Sequence, residues 1–495
     1  MPVFLLNLII HQTIGTFHCY YHIHDKLNLQ RMHSNHFDII RSQQAFFQSG
    51  ATRSAAFRKD QLIRLHKLIE KNEKHIEQAL YADLHKHPQE VFITELGPSY
   101  EEIKVQRKHF QKWMQPRRVS TPIFLQPSVS RIYPEPVGNT LIITPWNYPL
   151  VLTMRPLAGA IAAGNTVIIK QSEHSAKTSA LIEELINNEF PSNYIHALPG
   201  IGSEVLPPII EQFYFGRIFF TGGTAIGSKI MEMAAKQLSP VSLELGGKSP
   251  CIVDNTANLS LAAKRIVWGK MLNCGQSCVA PDYLLVHQDI KESLIQLIIR
   301  EIEKNYGTDL LQNPDYGRII HEVRYRKLVS YLNEGKIIYG GQTNDEQRFI
   351  SPTIMDEIKP GASLLKEEIF GPLLPVFTYK NHEHILNMIA ENPYPLSAYV
   401  FSNDRRMQDL ILQNVPFGGG CINETIYHLG NHHMPFSGIG TSGMGGHLGK
   451  HSFDLFTHYK GIVKKANLPD PAFRFPPFTD KKANLWRKLV HRKWF

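Results

Sequence analysis

Between residues 139 and 247 the hydrophobic period keeps switching, and that alternation constrains the fold more tightly than any other feature of the sequence. Short β-rich runs, NTLIIT (139–144), TVIIK (166–170), YIHALP (194–199), RIFFT (217–221) and PVSLELGG (240–247), alternate with the helical patterns LTMRPLAGAIAAG, AKTSALIEELINNEF, SEVLPPIIEQF and AIGSKIMEMAAKQL. Strands separated by helices of about 10–15 residues are βαβ units and predict a parallel sheet covered by helices. Ligands of such sheets bind beyond the carboxyl ends of the strands. The segments to weigh are therefore PWNYP, QSEHS and GGTAIG, which follow three of those strands.

Upstream, apolar residues at i, i+3 and i+4 predict a helix from Ser42 to about Lys86 and a second from Glu90 to Trp113, ending before Pro116. VSRIYPEPVG (129–138) has β character broken by prolines, which predicts an edge hairpin. A second α/β stretch runs from KSPCIVD (248–254) to near residue 440. A chain of 495 residues exceeds what one core usually holds, and neither a repeat nor a low-complexity linker divides it. Two intertwined domains are expected.

With 43% hydrophobic and 20% charged residues the composition is that of a soluble globular protein. The formal net charge of +9 first suggests a nucleic-acid partner, but from Lys460 onward ten Lys/Arg face only Asp470 and Asp480. The surplus belongs to the tail, and the nearly neutral body argues against a nucleic-acid enzyme. Cys19, Cys251, Cys274, Cys278 and Cys421 are scattered and odd in number, a reduced, cytoplasmic pattern rather than a disulfide framework. No His/Cys grouping in the main body has zinc-ligand spacing, so no metal is expected. VFLLNLII (3–10) is shorter than the roughly 20 residues a membrane span needs and lacks the flanks of a signal peptide. His11, His18, Cys19, His22, His24, His33 and His36 follow it with no frame to organise ligands. Residues 1–35 are expected to be a disordered extension, with Met32 as the working start.

Several motifs carry chemistry. In RIFFTGGTAIG, Gly222 and Gly223 allow close backbone approach to an anion at a helix start, with Thr224 adding a hydroxyl. That describes a dinucleotide pyrophosphate cradle, although a plain tight connection explains the motif alone equally well. Lys170 and Glu173 at the next strand end can hold ribose hydroxyls, and the carboxylate disfavours a 2′-phosphate. This favours NAD and leaves NADP as the alternative. Glu244 closes an apolar strand, where desolvation raises a carboxyl pKa toward a value useful for proton abstraction; by itself it reads as readily as a structural carboxylate. The literal GxGxxG at Gly438–Gly440–Gly443 follows PFS rather than a strand and is set aside, and GGHLGKH fails the P-loop pattern at His451.

NCGQSCVAPDY (273–283) holds two cysteines four apart. Without further ligands a metal pair is excluded. Cys274 ends a helical run and is expected to pack. Cys278 follows GQS, a turn that exposes a side chain and surrounds a thiolate with N–H donors, and is the expected nucleophile. A thiolate attacking a carbonyl needs an oxyanion donor, for which the Asn147 amide and the Cys278 N–H are the candidates.

PWNYP, FFTGGTAIG, LELGGKSPCIVD, GQSCVAPDY, EEIFGPLLPV, PFSGIGTSGMG and FDLFTH, in this order from about Phe46 to Lys465, resemble the aldehyde dehydrogenase superfamily, most closely its class 3, fatty-aldehyde-type branch. The resemblance implies an α/β fold in which a Rossmann-like NAD-binding domain is intertwined with a second α/β catalytic domain and a small oligomerisation hairpin. The implied division is 36–243 for NAD binding, interrupted by the hairpin near 119–137, then 244–442 for catalysis, 443–466 as the return segment of the oligomerisation sheet, and 467–495 as a basic amphipathic tail. It further implies Cys278 as nucleophile, Glu244 as general base and Asn147 as oxyanion donor. Lys170, Glu173 and the turn Gly222, Gly223, Thr224, Ala225, Ile226 and Gly227 would contact the cofactor, with Glu368 on the nicotinamide ribose and Phe370 beside the nicotinamide. The reaction implied is NAD(P)-dependent oxidation of a medium- or long-chain aliphatic or aromatic aldehyde through a hemithioacetal and a thioester, by a homodimer. Four positions depart from the pattern: Gln171 for Pro, which is expected to loosen the ribose turn, Gly223 for Ser or Asn, Ser437 for Gly, and Cys274 for Ala. The last raises the possibility of an oxidised pair with Cys278.

KKANLWRKLVHRKWF (481–495) has interfacial helical spacing, which leaves peripheral membrane contact as one reading beside a tail docked on the partner subunit or solvated. Two other functions compete. A CoA-acylating dehydrogenase or thioester hydrolase would not need Glu244 to activate water in the same way. A non-catalytic structural relative would not need Cys278, Glu244 and Asn147 together.

Overall fold

The computed structural model describes residues 34–468, 470 and 474–491. The working start at Met32 and the histidines before residue 34 lie outside them. The alternating stretch forms a six-stranded sheet in the order Gly443–Met444, Val241–Glu244, Arg217–Thr221, Asn139–Ile143, Thr166–Lys170 and Ile195–Ala197. All neighbours are parallel except the short first strand. Ile142, Val167, Ile169 and Phe219 pack into a cluster on one face, while Leu141, Ile143, Ile168, Ile218 and Phe220 pack on the other. Burial on both faces is why these strands read as continuous apolar runs rather than alternating ones.

A seven-stranded sheet repeats this logic, in the order Lys336–Tyr339, Thr353–Asp356, Leu373–Tyr379, Tyr283–His287, Pro250–Val253, Ser397–Phe401 and Gly419–Ile422. Leu284 and Val286 face one core and Leu285 the other. The chain passes from the first sheet to the second between Glu244 and Pro250, so Glu244 ends a strand of the first sheet instead of opening the second unit. Gly443–Met444 returns to pair beside it.

The β segment near residue 130 differs from the edge hairpin expected. Ser128–Pro136 is the middle strand of three, paired along its length with Thr457–Lys465. On its other side Arg117–Val119 covers only Ser130–Ile132, so Pro134 and Pro136 fall where no second partner asks for an N–H. The folded chain also begins earlier than expected. A helix over 34–48, which takes in the last two residues of the expected extension and starts before the helix expected from Ser42, packs Phe37, Ile39 and Ile40 against the first sheet and buries His36. Helix Ala55–Leu84 follows a break at residues 49–54, where Ser54 caps it through the Phe57 N–H. Among the described residues no helix is long and apolar enough to cross a membrane.

Candidate active site

The carboxyl ends of four parallel strands open onto one cavity of about 980 Å³. Asn147, Glu244 and Cys278 line it together. So do Lys170, Glu173, Gly222, Gly223 and Ile226 from the strand-end loops, and Glu368 and Phe370 from the segment before Leu373–Tyr379.

The cysteine turn is held in an unusual shape. Asn273, Cys274 and Gly275 all have left-handed φ, at 52°, 53° and 72°. Only glycine adopts that region freely, so the first two residues need support. Asn273 Nδ2 donates to Asn147 O at 2.8 Å and its backbone N–H donates to Glu90 Oε1 at 2.8 Å. Gln276 Nε2 donates to Arg318 O at 2.9 Å, and its Oε1 accepts from the Ile320 N–H at 3.1 Å. A Cβ on Gly275 would come within 2.3 Å of Gly371 O. Cys278 emerges half-buried at the cavity edge while Cys274 is sealed beneath Tyr316 and Leu328.

Burial pushes the Cys278 thiol up from its ordinary range, and the carboxyls of Glu368 and Glu244 push it further; the N–H groups of Cys278 and Val279 pull the other way. The thiolate-favouring turn expected from GQS is thus present but outweighed, and the resting group is a thiol. Asn147 Nδ2 donates to Gln276 O at 3.1 Å, which ties the amide to the cysteine turn. Lys86 Nζ, buried and paired with Glu95 Oε1 at 2.8 Å, donates to Asn147 O at 3.0 Å. No local pattern marks Lys86 or Glu95, because only tertiary contact relates them to PWNYP.

Glu244 is 3% exposed, neither carboxyl oxygen has a hydrogen-bond partner among the described residues, and burial raises its pKa well above the carboxylate range. Glu368 is pushed up to about 8, by burial and then Asp282, with Arg324 and Lys248 opposing. Its Oε2 lies 2.1 Å from where a Gly246 Cβ would sit, so Gly246 leaves room for that carboxyl. Phe370 stands edge-on to Trp146, with ring centroids 5.3 Å apart.

Lys170 is buried, donates to Gln171 O, and lies 3.8 Å from Glu173. Burial lowers its pKa and Glu173 opposes that. Gln171 does not loosen this turn. Its amide donates to Thr153 Oγ1 at 3.1 Å and Pro149 O at 3.4 Å, fastening the turn to the PWNYP loop. Helix Thr224–Ala235 starts with no side-chain cap, and a Cβ at Gly223 would meet nothing within 4 Å, so open space lies in front of its first amides. Thr224, Ala225 and Gly227 do not line the cavity. The Thr224 hydroxyl donates to Thr441 O at 3.3 Å, and Gly227 is required by Leu245, 2.5 Å from its would-be Cβ. The residues present fit a dinucleotide: amides at an open helix start, a cation–carboxylate pair and a carboxyl kept clear by glycine share one cavity. The GxGxxG at Gly438–Gly443 instead folds against the base strand, with Ser442 O accepting from Leu245 N at 3.0 Å. No His/Cys/Asp/Glu group among the described residues could hold a metal.

The aldehyde dehydrogenase family model matches residues 31–462. The chain belongs to the aldehyde dehydrogenase family. It is 43% identical to 4,4'-diaponeurosporen-aldehyde dehydrogenase of Staphylococcus aureus over 88% of this chain and 95% of that one. It is 37% identical to mouse (Mus musculus) aldehyde dehydrogenase family 3 member A2, over 92% and 94% of the two chains. A solved structure of the substrate-bound state of Staphylococcus aureus AldH superposes with a TM-score of 0.88 at 41% identity, covering 91% of this chain and 98% of that one. As a member of this family the protein is an oxidoreductase that acts on aldehydes with NAD, and the mixed α/β architecture described above is the family's.

Proposed function

We propose that this aldehyde dehydrogenase works through Cys278 as nucleophile, Asn147 as oxyanion donor and Glu244 as general base. The observation that supports the reading is their meeting at one cavity with the glycine-opened helix start. Cys278 gives up its proton to solvent water through the cavity and its sulfur adds to the aldehyde carbon, forming a hemithioacetal whose oxygen lies near the Asn147 amide and the Cys278 N–H. Bound NAD supplies the hydride acceptor that takes this carbon to the oxidation level of a thioester. Glu244 then takes a proton from water, whose oxygen attacks the thioester and releases the carboxylic acid and the thiol. Lys170 and Glu173 hold the adenosine ribose, Gly222, Gly223 and Ile226 face the pyrophosphate, and Glu368 with Phe370 hold the nicotinamide side.

A second cavity, about 350 Å³, is lined by Phe92, Ile93, Pro98, Leu429 and Leu448 among others. Leu429 and Leu448 also belong to the apolar cluster that packs on Cys278. This favours an aldehyde with an apolar chain or ring. The sheet strand Thr457–Lys465 is exposed along most of its length, which favours a homodimer built on it. The free cysteines among the described residues suit a reducing cytoplasm. Helix Asp480–His491 carries Lys481, Lys482, Arg487 and Lys488 beside Leu485 and Trp486, a composition suited to peripheral contact with an anionic membrane. The decisive assay follows NADH absorbance with short, long-chain and aromatic aldehydes. Turnover is expected with the apolar ones, and no NADH from any aldehyde would refute the reading.

A further inference from the structure

One buried group beside the site has no role in the steps above. His447 Nε2 lies 4.0 Å from Glu244 Oε1, and both side chains are 3% exposed. Catalytic hydrogen bonds are often this long before substrate binds. The imidazole is fixed rather than accidental. Phe436 and His447 exchange backbone hydrogen bonds of 2.9 and 3.0 Å, and the ring stands edge-on to Phe219 and Phe436 at 5.3 and 5.5 Å. Among the described residues its Nδ1 has no partner, and neither does either oxygen of Glu244. Burial, with Arg155 adding to it, drives the His447 pKa down to about 3, so the ring is neutral and carries one hydrogen.

The position of that hydrogen follows from cost. A buried N–H without an acceptor is rarer in folded proteins than a buried acceptor without a donor. Placing the hydrogen on Nε2 aims it at Glu244 and leaves only a lone pair on Nδ1 unmatched. We propose that His447 is a positioning residue for the general base: its Nε2–H donates to Glu244 Oε1, holds the carboxyl in place and favours its ionised form. The proposal rests on Glu244 being the base. A hydrogen bond to the charged form opposes desolvation, the dominant influence on Glu244. The other titratable or charged groups around the pair are Arg155 on helix Val151–Ala163 behind the imidazole, and Cys278 and Glu368 across the cavity; Thr221 on the adjacent strand is neutral.

The test uses the full-length enzyme and hydrolysis of p-nitrophenyl acetate, which acylates Cys278 without NAD, followed from about pH 6 to 10. His447→Phe removes the donor but keeps an aromatic ring. Its acid limb is expected to move up by about one pH unit, slowing hydrolysis near pH 7 roughly tenfold, with full recovery at alkaline pH. His447→Gln, whose amide still donates, is expected to keep the limb near its original place. A limb that does not move, moves to lower pH, or fails to recover on the alkaline side would overturn the proposal. Should His447→Phe not fold, His447→Met, which also lacks a donor, takes its place under the same criteria. Glu244→Gln run in parallel separates the two ideas: if it hydrolyses the ester normally, the base assignment itself fails.

Discussion

Cys274 and Cys278 stand four residues apart in one turn, and the structure sends them into different surroundings. Cys274 packs with Tyr316, Tyr325 and Leu328, sealed from any cavity, and burial pushes its thiol up to about 12. Cys278 packs on Val279, Leu396, Phe436 and Leu448 and reaches the large cavity. Burial raises both thiols, so depressed acidity does not mark the nucleophile. What separates them is access, together with the N–H groups of Cys278 and Val279 that face the Cys278 sulfur. On the proposed reading, Cys278 is reactive because of where it is placed, with ionisation left to the moment of attack.

The sharpest way to break this comparison is Cys278→Ala. With no sulfur to carry the acyl group, aldehyde-dependent NADH formation is expected to fall by at least about 10⁴-fold, while tryptophan fluorescence still reports NAD binding. Retention of more than a trace of activity would move the nucleophile elsewhere. Asn147→Ala comes next. Removing one preorganised oxyanion donor costs roughly 10²–10³ in kcat, and the apparent KM for NAD is expected to stay put. A loss confined to KM would mean that the amide only supports the cysteine turn through Gln276 O.

The strands that carry these residues were legible because both faces of each are buried. That makes TVIIK and RIFFT unbroken apolar runs, and a helical pattern separates them. The cavity mouth was legible for a related reason: glycines and charged residues at strand ends have few structural uses. Other features depend on partners far away in the chain. Lys86 meets Asn147 across 61 residues, and no local pattern announces that contact. The start of the helix over 34–48, before Ser42, is not legible because its buried face is narrow and a polar stretch rich in histidine precedes it. Prolines in Ser128–Pro136 suggested an edge, yet the strand is central because its neighbour on that side is short. Gln171 reads as a loosened turn because its amide's acceptors, Pro149 O in PWNYP and Thr153 Oγ1 in the helix after it, are distant in the chain.

Glu368 offers a smaller effect that sharpens the contrast between the base and the cofactor side. Its carboxyl has Arg324 and Lys248 nearby and is held at about 8, whereas among the described residues no such counter-charge acts on Glu244. A raised pKa means that Glu368 is neutral below this value and becomes a carboxylate as pH rises through it. The carboxylate accepts ribose hydroxyls better than the acid does. NAD affinity is therefore expected to tighten across that interval, and Glu368→Gln should flatten the dependence while weakening binding at the alkaline end. Titration of NAD by fluorescence from about pH 6.5 to 9.5 reads both. An unchanged slope in the variant would assign the titration to another group.

The least expected effect belongs to Cys274, and its smallness is the point. Alanine there removes one sulfur from a tight cluster, costing about 1 kcal/mol of stability, without touching the cavity. The left-handed φ of 53° is retained, since alanine pays the same steric penalty as cysteine. The two thiols face separate clusters, so peroxide should inactivate wild type and Cys274→Ala alike, through oxidation of Cys278 alone. If instead dithiothreitol restored the peroxide-treated wild type and failed to restore the alanine variant, the turn would have to open far enough to join the sulfurs. The separation that defines the comparison would then hold only at rest.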